Sequence, residues 1–245
     1  SSMVSGSCPV RVYKSHSSTM DGARAWIEEG EVPDFGIVCA RKQLQGRGRQ
    51  GRSWDSEAAG LYVTYLSKSP VSLEKLSGLS LVVGVAVYRL LNNLLPGQFG
   101  LKWPNDVLAN DGRKISGILI ELVIDPTGQQ FVMIGIGLNC YGTFPVESPA
   151  CSLEELHAPQ CDPLVICGSL ADHLLQVLPE FYHAGFAGFK EEWLASSLYR
   201  GQHIRLHQGG KQQEGLFLDV TDEGALVLQT ESQKLKISVG DVEAI

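Results

Sequence analysis

The sequence lacks the features of a membrane protein and of a disulfide-bonded secreted protein. Its longest apolar run, residues 79–87, is far shorter than the ~20 residues of a membrane helix. Its beginning shows no basic segment followed by an apolar one. The six cysteines include no C-x-x-C pair. We therefore expect a cytoplasmic globular protein of 245 residues whose cysteines stay reduced.

Metal-ligand patterns are also scarce. Cys151, His157 and Cys161 are the best candidates for zinc, but they include no close ligand pair and no evident fourth ligand. Packing is the commoner role of such cysteines, because a free thiol behaves as a small apolar group. We expect no zinc site here.

Two common nucleotide-binding motifs are missing or out of context. The P-loop pattern G-x-x-x-x-G-K-[ST] is absent. Residues 46–51 do satisfy G-x-G-x-x-G, but this segment leads through Gly60 to another strand instead of opening a helix, as a dinucleotide site requires. The sequence therefore predicts neither a P-loop nor a Rossmann domain.

Charge is unevenly distributed along the chain. The 27 carboxylates outnumber the 20 lysines and arginines, which gives a net charge of −7. A local cationic segment on an acidic chain indicates a small anionic ligand, since nucleic acid requires a broad basic surface. Residues 41–52 are that segment, with no carboxylate and five cations: Arg41, Lys42, Arg47, Arg49 and Arg52.

Hydrophobic periodicity predicts an α+β fold. Ser18 and Thr19 offer an N-cap to a first helix that Gly30 ends, and apolar spacing predicts a long helix over 72–95. The links between later strands are too short for helical crossovers, so we expect a mixed or antiparallel central sheet flanked by helices. We predict strands near 10–13, 36–40, 61–66, 99–103, 115–122 and 131–138, a loop over 140–162, and helices over 163–183 and 186–198.

The pattern changes after Gly201. Short strands are predicted at 204–206, 214–220, 225–228 and 235–237, with turns between them. We expect a main domain over residues 1–199 and a small β-barrel over residues 200–245.

Three segments carry residue types suited to anion chemistry. In the arginine loop, residues 46–54, glycines let backbone amides approach an anion while arginines offer forked donors. Asn105 and Asp106 follow Pro104 on a predicted turn, where their oxygens suit Mg²⁺. Lys114 begins a strand and suits a reacting carboxylate or phosphate. The alternatives are a solvated loop, an ordinary turn and a solvated edge lysine. Trp54 offers a stacking face, although core packing is its commoner role.

Taken together and in order, these segments resemble those of the biotin protein ligases. The resemblance is strong over residues 10–140, and residues 201–245 look like the SH3-like C-terminal domain of that family. The matching segments are Ser18-Thr19, GRGRQGRSW at 46–54, KWPND at 102–106, KISGILIE at 114–121 and GIGLN at 135–139.

The resemblance implies a biotin/lipoate ligase-like fold and a two-step reaction. Biotin and MgATP give biotinyl-5′-AMP and pyrophosphate, and biotin then passes to one lysine of a biotin carboxyl carrier protein. Biotin and ATP are thus the expected substrates, with Mg²⁺. Bringing a carboxylate to a phosphate places anions together, which the cationic loop and the metal would offset.

The resemblance also implies roles for individual residues. The expected catalytic residues are Lys114, Arg49 and Arg47, and the expected metal ligands are Asp106 and Asn105. The expected biotin contacts are Ser18, Thr19, Met20, Gln43, Arg47, Gly48, Arg49, Lys114 and Gly117. The expected ATP or adenylate contacts are Arg49, Arg52, Trp54, Lys102, Asn105, Lys114 and Asn139.

The sequence departs from the family pattern in one position and differs from part of the family in organisation. Met20 stands where many members have asparagine. Members that repress transcription carry an N-terminal helix-turn-helix domain, whereas the first predicted strand here begins near Val10, so we expect no direct DNA binding. An open sheet edge leaves both a monomer and a homodimer possible.

Two other functions remain as alternatives. A lipoate or octanoate ligase or transferase of the same superfamily is expected to lack the arginine loop and the KWPND segment. A biotin-binding sensor without catalysis would have no need of Lys114, Arg49 or Asp106, because binding biotin alone requires no phosphate or metal partner.

Overall fold

The residues that the structure describes form two sheets and four α-helices. The computed structural model describes residues 8–30, 32–52, 54, 60–145, 147–159 and 162–245. Ser53 of the arginine loop and Cys161 of the zinc alternative lie outside the described residues. The helices are α1 (Thr19–Glu29), α2 (Leu79–Leu94), α3 (Pro163–Ala184) and α4 (Lys190–Ala195).

The central sheet has seven strands in the order β1-β2-β3-β7-β6-β5-β4. β1 and β2 run parallel, and every other neighbouring pair is antiparallel. The predicted mixed sheet is therefore confirmed. Its strands are β1 (Val10–Tyr13), β2 (Phe35–Ala40), β3 (Gly60–Lys68), β4 (Phe99–Lys102), β5 (Asp106–Ala109), β6 (Lys114–Ile124) and β7 (Gln130–Asn139).

Helices cover both faces of this sheet. α1 packs on β2, β3 and β7, while α2 and α3 pack on the opposite face and on each other. Strand β2 shows the result: Val38 belongs to the apolar cluster under α1, and Ile37 and Cys39 belong to the cluster under α2 and α3. A strand buried on both faces reads as a continuous apolar run instead of an alternating one.

The predicted ends of α1 are confirmed. The Ser18 hydroxyl accepts from the Met20 backbone N–H at 3.3 Å, and Gly30 ends the helix at φ 82°. A side-chain cap and a left-handed glycine satisfy backbone groups that the helix leaves free. These ends fix the N-terminus of α1 beside the central sheet.

The long predicted helix begins later than the apolar spacing indicates. A 3₁₀ turn spans Leu73–Leu76, and extended Ser77 and left-handed Gly78 (φ 82°) separate it from α2. Two helical segments, residues 73–94 and 163–184, are long and apolar enough to cross a membrane by length and composition alone. Both segments pack in the core on the sheet and on each other, which accounts for their apolar content.

Two short strands escape the sequence-based prediction. Asp106 is not on a turn, as predicted, but begins β5, which pairs with β4 and β6. The turn is confined to residues 103–105, and the Trp103–Pro104 peptide bond is cis. Four-residue strands carry too little periodicity to be recognised, and pairing with neighbours on both sides defines β5 here. β12 (Asp241–Ala244) was missed for the same reason.

The C-terminal residues form a five-stranded antiparallel sheet. The strand order is β11-β10-β9-β8-β12, so the predicted small β domain is confirmed. Across residues 203–244, all of them described, no backbone pairing joins β11 to β12, and the sheet is not closed into a barrel. Its other strands are β8 (His203–Gln208), β9 (Lys211–Val220), β10 (Leu226–Gln229) and β11 (Lys234–Ile237).

This second sheet packs against α4 and the region between β4 and α2. Phe217 on β9 contacts Trp193 on α4, with ring centroids 6.3 Å apart. The Trp103 indole N–H donates to the Gly224 carbonyl at 3.0 Å, and the Ser77 hydroxyl donates to the Glu223 carbonyl at 2.8 Å. These contacts hold the second sheet beside the end of β4 and the start of α2.

Gly78→Ala is expected to destabilise the protein by about 2–5 kcal/mol, because its new Cβ combines left-handed backbone strain with overpacking. That Cβ would lie 2.6 Å from Cβ of Phe186. Gly30→Ala is the matched control, since Gly30 has the same φ but nothing within 4 Å, and should cost about 1–2 kcal/mol. Urea unfolding of both variants measures the difference, and equal losses would contradict the packing contribution.

Candidate active site

One cavity brings together most of the residues that the sequence singled out. It has a volume of about 190 Å³ and lies between the start of α1, the arginine loop and strands β5, β6 and β7. Its walls include the expected biotin contacts without exception, together with Arg52, Trp54, Asn105 and Asp106. The remaining lining residues are Ile118, Leu119, Gly135, Ile136 and Gly137.

The floor of the cavity is a pair of glycines on neighbouring strands. Gly117 on β6 pairs with Gly137 on β7. A Cβ at either position would lie 2.6 Å from the Trp54 ring, so the indole rests directly on the backbone. Side-chain-free strands thus leave a flat seat for a ring. Sequence reasoning proposed Gly117 through the resemblance and missed Gly137, whose G-x-G spacing in β7 was the available signal.

The start of α1 supplies neutral polar groups at one end of the cavity. The Gln43 side-chain oxygen accepts from the Thr19 backbone N–H at 2.8 Å and from its hydroxyl at 3.3 Å. The Thr64 hydroxyl donates to Thr19 at 2.9 Å. Ser18, Thr19 and Thr64 are all buried. Buried and mutually bonded hydroxyls hold fixed positions, so they can select a neutral polar ligand group by geometry.

Met20 belongs to the cavity wall and to the packing of α1. It is 3% exposed, and its sulfur would lie 2.8 Å from a Cβ at Gly135. The methionine therefore fills the space above a second glycine of β7. An apolar thioether at this point offers packing but no strong hydrogen bond to a ligand.

The arginine loop is folded over the cavity by three different contacts. Arg47 pairs with Asp21 of α1 at 2.6 Å. Arg49 donates to the Asn105 side-chain oxygen at 3.1 Å and to the Gly240 carbonyl at 3.3 Å. The loop is also closed on itself, since the Gly48 N–H donates to the Arg52 carbonyl at 2.7 Å. Each arginine is thus directed by a separate element of the fold.

Alternating charges line the other end of the cavity. Lys114 lies 2.7 Å from Asp106, and its ammonium is 5.1 Å from the centre of the Trp54 ring. Lys102 lies between two carboxylates, 3.8 Å from Asp106 and 3.2 Å from Asp241. Asp106 is 8% exposed, and a buried carboxylate requires such partners.

Asp241 is the charged residue beside the site that sequence reasoning missed in the described part of the chain. It lies on β12 of the second sheet and accepts from Arg52 at 2.9 Å. Burial alone would raise its pKa, but Lys102 and Arg52 outweigh that effect and hold the pKa below its ordinary value. No motif marks this residue, because only the packing of the two sheets brings it to the loop.

Among the residues that the structure describes, the cationic end has an excess of positive charge. Its four cations face two carboxylates, Asp106 and Asp241; the cations are Arg49, Arg52, Lys102 and Lys114. Burial lowers the pKa of Arg49, although Asp241 and Asp106 oppose that effect. An anionic ligand here would meet cations that are already held in place, which is the condition for strong electrostatic stabilisation.

Two expected nucleotide contacts do not line the cavity. Lys102 lies just behind it, bonded to the carboxylates described above. Asn139 is buried, and its side-chain amide donates to the Cys151 carbonyl at 3.0 Å. The structure thus shows Asn139 bracing the segment after β7, and its role toward adenine stays a prediction.

Comparisons with known proteins agree with this geometry. The biotin/lipoate A/B protein ligase family matches residues 12–139, and the biotin protein ligase C terminal domain matches residues 200–244. Biotin--[acetyl-CoA-carboxylase] ligases of Paracoccus denitrificans and Mycobacterium tuberculosis are 31% and 32% identical. The matches cover 84% and 92% of this chain and 88% and 85% of those proteins.

A solved structure shares the whole architecture. The biotin protein ligase from Aquifex aeolicus in complex with biotin and ATP has a TM-score of 0.80 and 28% identity, covering 96% of this chain and 97% of that one. Fold and site, together with these relatives, define the class of protein as a ligase. The chain belongs to the biotin/lipoate A/B protein ligase family, and its C-terminal sheet matches the domain of the biotin protein ligases.

Asp241→Asn should lower the free energy of unfolding at neutral pH and have no effect in acid. Lys102 and Arg52 hold the pKa of Asp241 below its ordinary value in the native protein, so its stabilising contribution is complete above the unfolded pKa and is lost as the pH falls through the native pKa. Urea unfolding from about pH 7 to pH 3 measures both proteins, with Asp34→Asn as an exposed control. If the difference in unfolding free energy between the wild type and Asp241→Asn did not change with pH, the stabilisation would not arise from the charge of Asp241.

Proposed function

We propose that this chain activates biotin with ATP, giving biotinyl-5′-AMP and pyrophosphate, and then transfers biotin to a lysine of a carboxylase carrier domain. One observation carries the proposal. A single cavity joins a neutral polar end at Ser18 and Thr19 to a cationic end at Arg49 and Lys114. Biotin has a matching neutral ring system and a carboxylate, and the adenylate adds a phosphate at the carboxylate end.

The neutral end would hold the ring system of biotin. The Ser18, Thr19 and Gln43 groups can exchange hydrogen bonds with a ureido group, which offers both donors and an acceptor. Met20 and the glycine floor leave apolar contact for the sulfur-containing ring. A ring fixed at this end directs the valeryl chain toward the cations.

The cationic end would catalyse adenylation by electrostatics. A carboxylate oxygen attacks the α-phosphorus of ATP, the bond to pyrophosphate breaks, and negative charge must be stabilised throughout. Lys114, which lies on Asp106, would contact the carboxylate and phosphate oxygens, while Arg49 and Arg52 would contact the phosphates. Arg47, at the loop's other side, would close over the valeryl chain. Cations held by protein carboxylates need little rearrangement when this charge develops.

Trp54 and Lys102 would assist the nucleotide in different ways. The Trp54 indole lies beside Lys114 on the glycine floor and can stack on a purine. Lys102 is paired with Asp106 and Asp241. It would hold these carboxylates in position, or it would contact a phosphate once the carboxylates have moved away.

Mg²⁺ would enter with the nucleotide. Among the described residues no cluster of three or more His, Cys, Asp or Glu side chains exists, but Mg²⁺ commonly takes one or two protein oxygens and completes its shell with phosphates and water. Asp106 is the carboxylate that fits this need, and Asn105 offers an amide oxygen. Both oxygens now face cations, Lys114 and Arg49 respectively. The metal would neutralise phosphate charge when bound.

The second half-reaction needs an acceptor amine at the mouth of the cavity. A neutral lysine amine attacks the acyl carbon and forms the amide bond, AMP leaves with the electron pair of the broken acyl–oxygen bond, and the nitrogen releases one proton to solvent. The C-terminal domain match favours biotin over lipoate as the acid.

An acylation assay tests the function. The purified chain is incubated with MgATP, biotin or lipoate, and an apo biotin carboxyl carrier domain, and the carrier is weighed by mass spectrometry. The expected product is the biotinylated carrier. A lipoylated carrier in the absence of a biotinylated one would contradict the proposal.

Lys114→Ala should slow adenylate formation by about 100-fold or more, because a fixed cation beside the reacting oxygens is removed. Pyrophosphate release measures this step, and thermal unfolding checks that the variant is folded. The control is Lys68→Ala, which removes a lysine paired with Asp34 far from the cavity. A wild-type rate in Lys114→Ala would remove this catalytic assignment.

A further inference from the structure

Three exposed cations lie beside the cavity and take no part in it. They are Lys14, Arg41 and Lys42, here called the rim patch. In the described part of the chain, none of their side chains forms an ion pair or a hydrogen bond. Many other surface cations are paired, for example Arg24 with Glu121 and Arg113 with Asp111. The rim patch therefore presents unscreened positive charge on a chain of net charge −7.

The parallel pair of β1 and β2 creates this patch. Tyr13 and Ala40 are register partners at the ends of the two strands, so the residues that follow, Lys14 and Arg41, leave the sheet side by side. The Arg41 N–H donates to the Tyr13 carbonyl at 3.1 Å. Lys42 follows directly, and its carbonyl accepts from the His16 N–H at 3.1 Å. The three cations thus share one rigid corner of the fold.

The same corner continues into the cavity. Gln43 comes immediately after Lys42, forms a bridge with His16 and lines the cavity beside Thr19. Leu44 follows and is 67% exposed. Charge and an exposed apolar side chain therefore flank Gln43, at the neutral end of the cavity. A protein surface that combines the two is suited to a protein partner.

The sign of the patch indicates the partner. A basic protein or a basic segment around the acceptor lysine would be repelled by Lys14, Arg41 and Lys42, whereas an acidic surface would be attracted and oriented. A positive rim also favours the neutral amine form of an approaching lysine, because a like charge disfavours the ammonium form.

A carboxylate, Asp162, shares a groove with Arg41 of the patch. The groove lies beside β2 and the start of α3. The Asp162 side chain caps α3, accepting from the Leu164 N–H at 2.9 Å. The Asp162 carboxylate thus bonds to its own helix, and the Arg41 guanidinium stays available to a partner.

Resting on the ligase function proposed above, we infer that the rim patch docks the acceptor protein, and that this acceptor carries carboxylates around its target lysine. Docking through charge accelerates encounter and orients the lysine, and it acts on the transfer step alone. Adenylate formation requires no acceptor and is independent of the patch.

The test reverses the charge of the patch in the full-length protein with the double substitution Arg41→Glu and Lys42→Glu. The acceptor is an apo biotin carboxyl carrier domain with an acidic surface. Pyrophosphate release from biotin and ATP should be unchanged, which also shows that the variant is folded. The kcat/KM for transfer should fall about tenfold or more at low salt, and the difference should narrow at about 0.5 M salt.

Two controls sharpen the result. Lys234→Glu with Lys236→Glu makes the same charge change on exposed lysines of β11, at the sheet edge opposite β12, and should leave transfer unchanged. An acceptor whose carboxylates near the lysine are replaced by lysine should be a poor substrate for the wild type and a better one for the reversed variant.

Normal pyrophosphate release with unaltered transfer in the reversed variant would overturn the docking surface. A change in sedimentation with unaltered transfer would do the same and would assign the patch to self-association. Failure of the wild type to release pyrophosphate would contradict the ligase function itself, so the two hypotheses fail in distinguishable ways.

Discussion

The ion pair between Lys114 and Asp106 is the interaction on which the cationic end of the site depends. A carboxylate that is 8% exposed is stable only with cationic partners, and Asp106 has Lys114 at 2.7 Å and Lys102 at 3.8 Å. These three residues begin or end the neighbouring strands β4, β5 and β6. The hydrogen-bonded register of the sheet therefore sets the spacing of the charges. Asp241 extends this arrangement from the second sheet and connects it to Arg52.

The floor of the cavity depends on a different constraint, the absence of side chains. Gly117, Gly135 and Gly137 let Met20 and Trp54 lie against the backbone of β6 and β7. A strand interior rarely tolerates so many glycines, because they add flexibility and remove packing. The cover that Met20 and Trp54 provide and the pairing of each strand with neighbours on both sides compensate for that loss. The sheet thus supplies charge at its strand ends and space at its centre.

Sequence reasoning identified the parts of the fold whose signals are local. The ends of α1 were predictable from Ser18 and Gly30, because capping and a left-handed turn each require particular residue types. The arginine loop and the KWPND segment were recognisable as site segments because each is a short run of consecutive residues with an uncommon composition. β5 and β12 were missed because four residues show no clear period. Asp241 was missed for another reason, since its position at the site arises from packing between sheets that are distant in sequence. Asn139 carried a motif signal, yet its amide braces the Cys151 carbonyl.

The position of Asp241 makes the site depend on the second sheet. Among the residues that the structure describes, the other charged groups of the cationic end belong to the loop and the first sheet, whereas Asp241 belongs to β12. Until β12 joins β8, Arg52 and Lys102 lack that partner and the loop lacks the Gly240 carbonyl. A change that unfolds the second sheet alone would therefore leave the cations in place but remove one of the carboxylates that orient them.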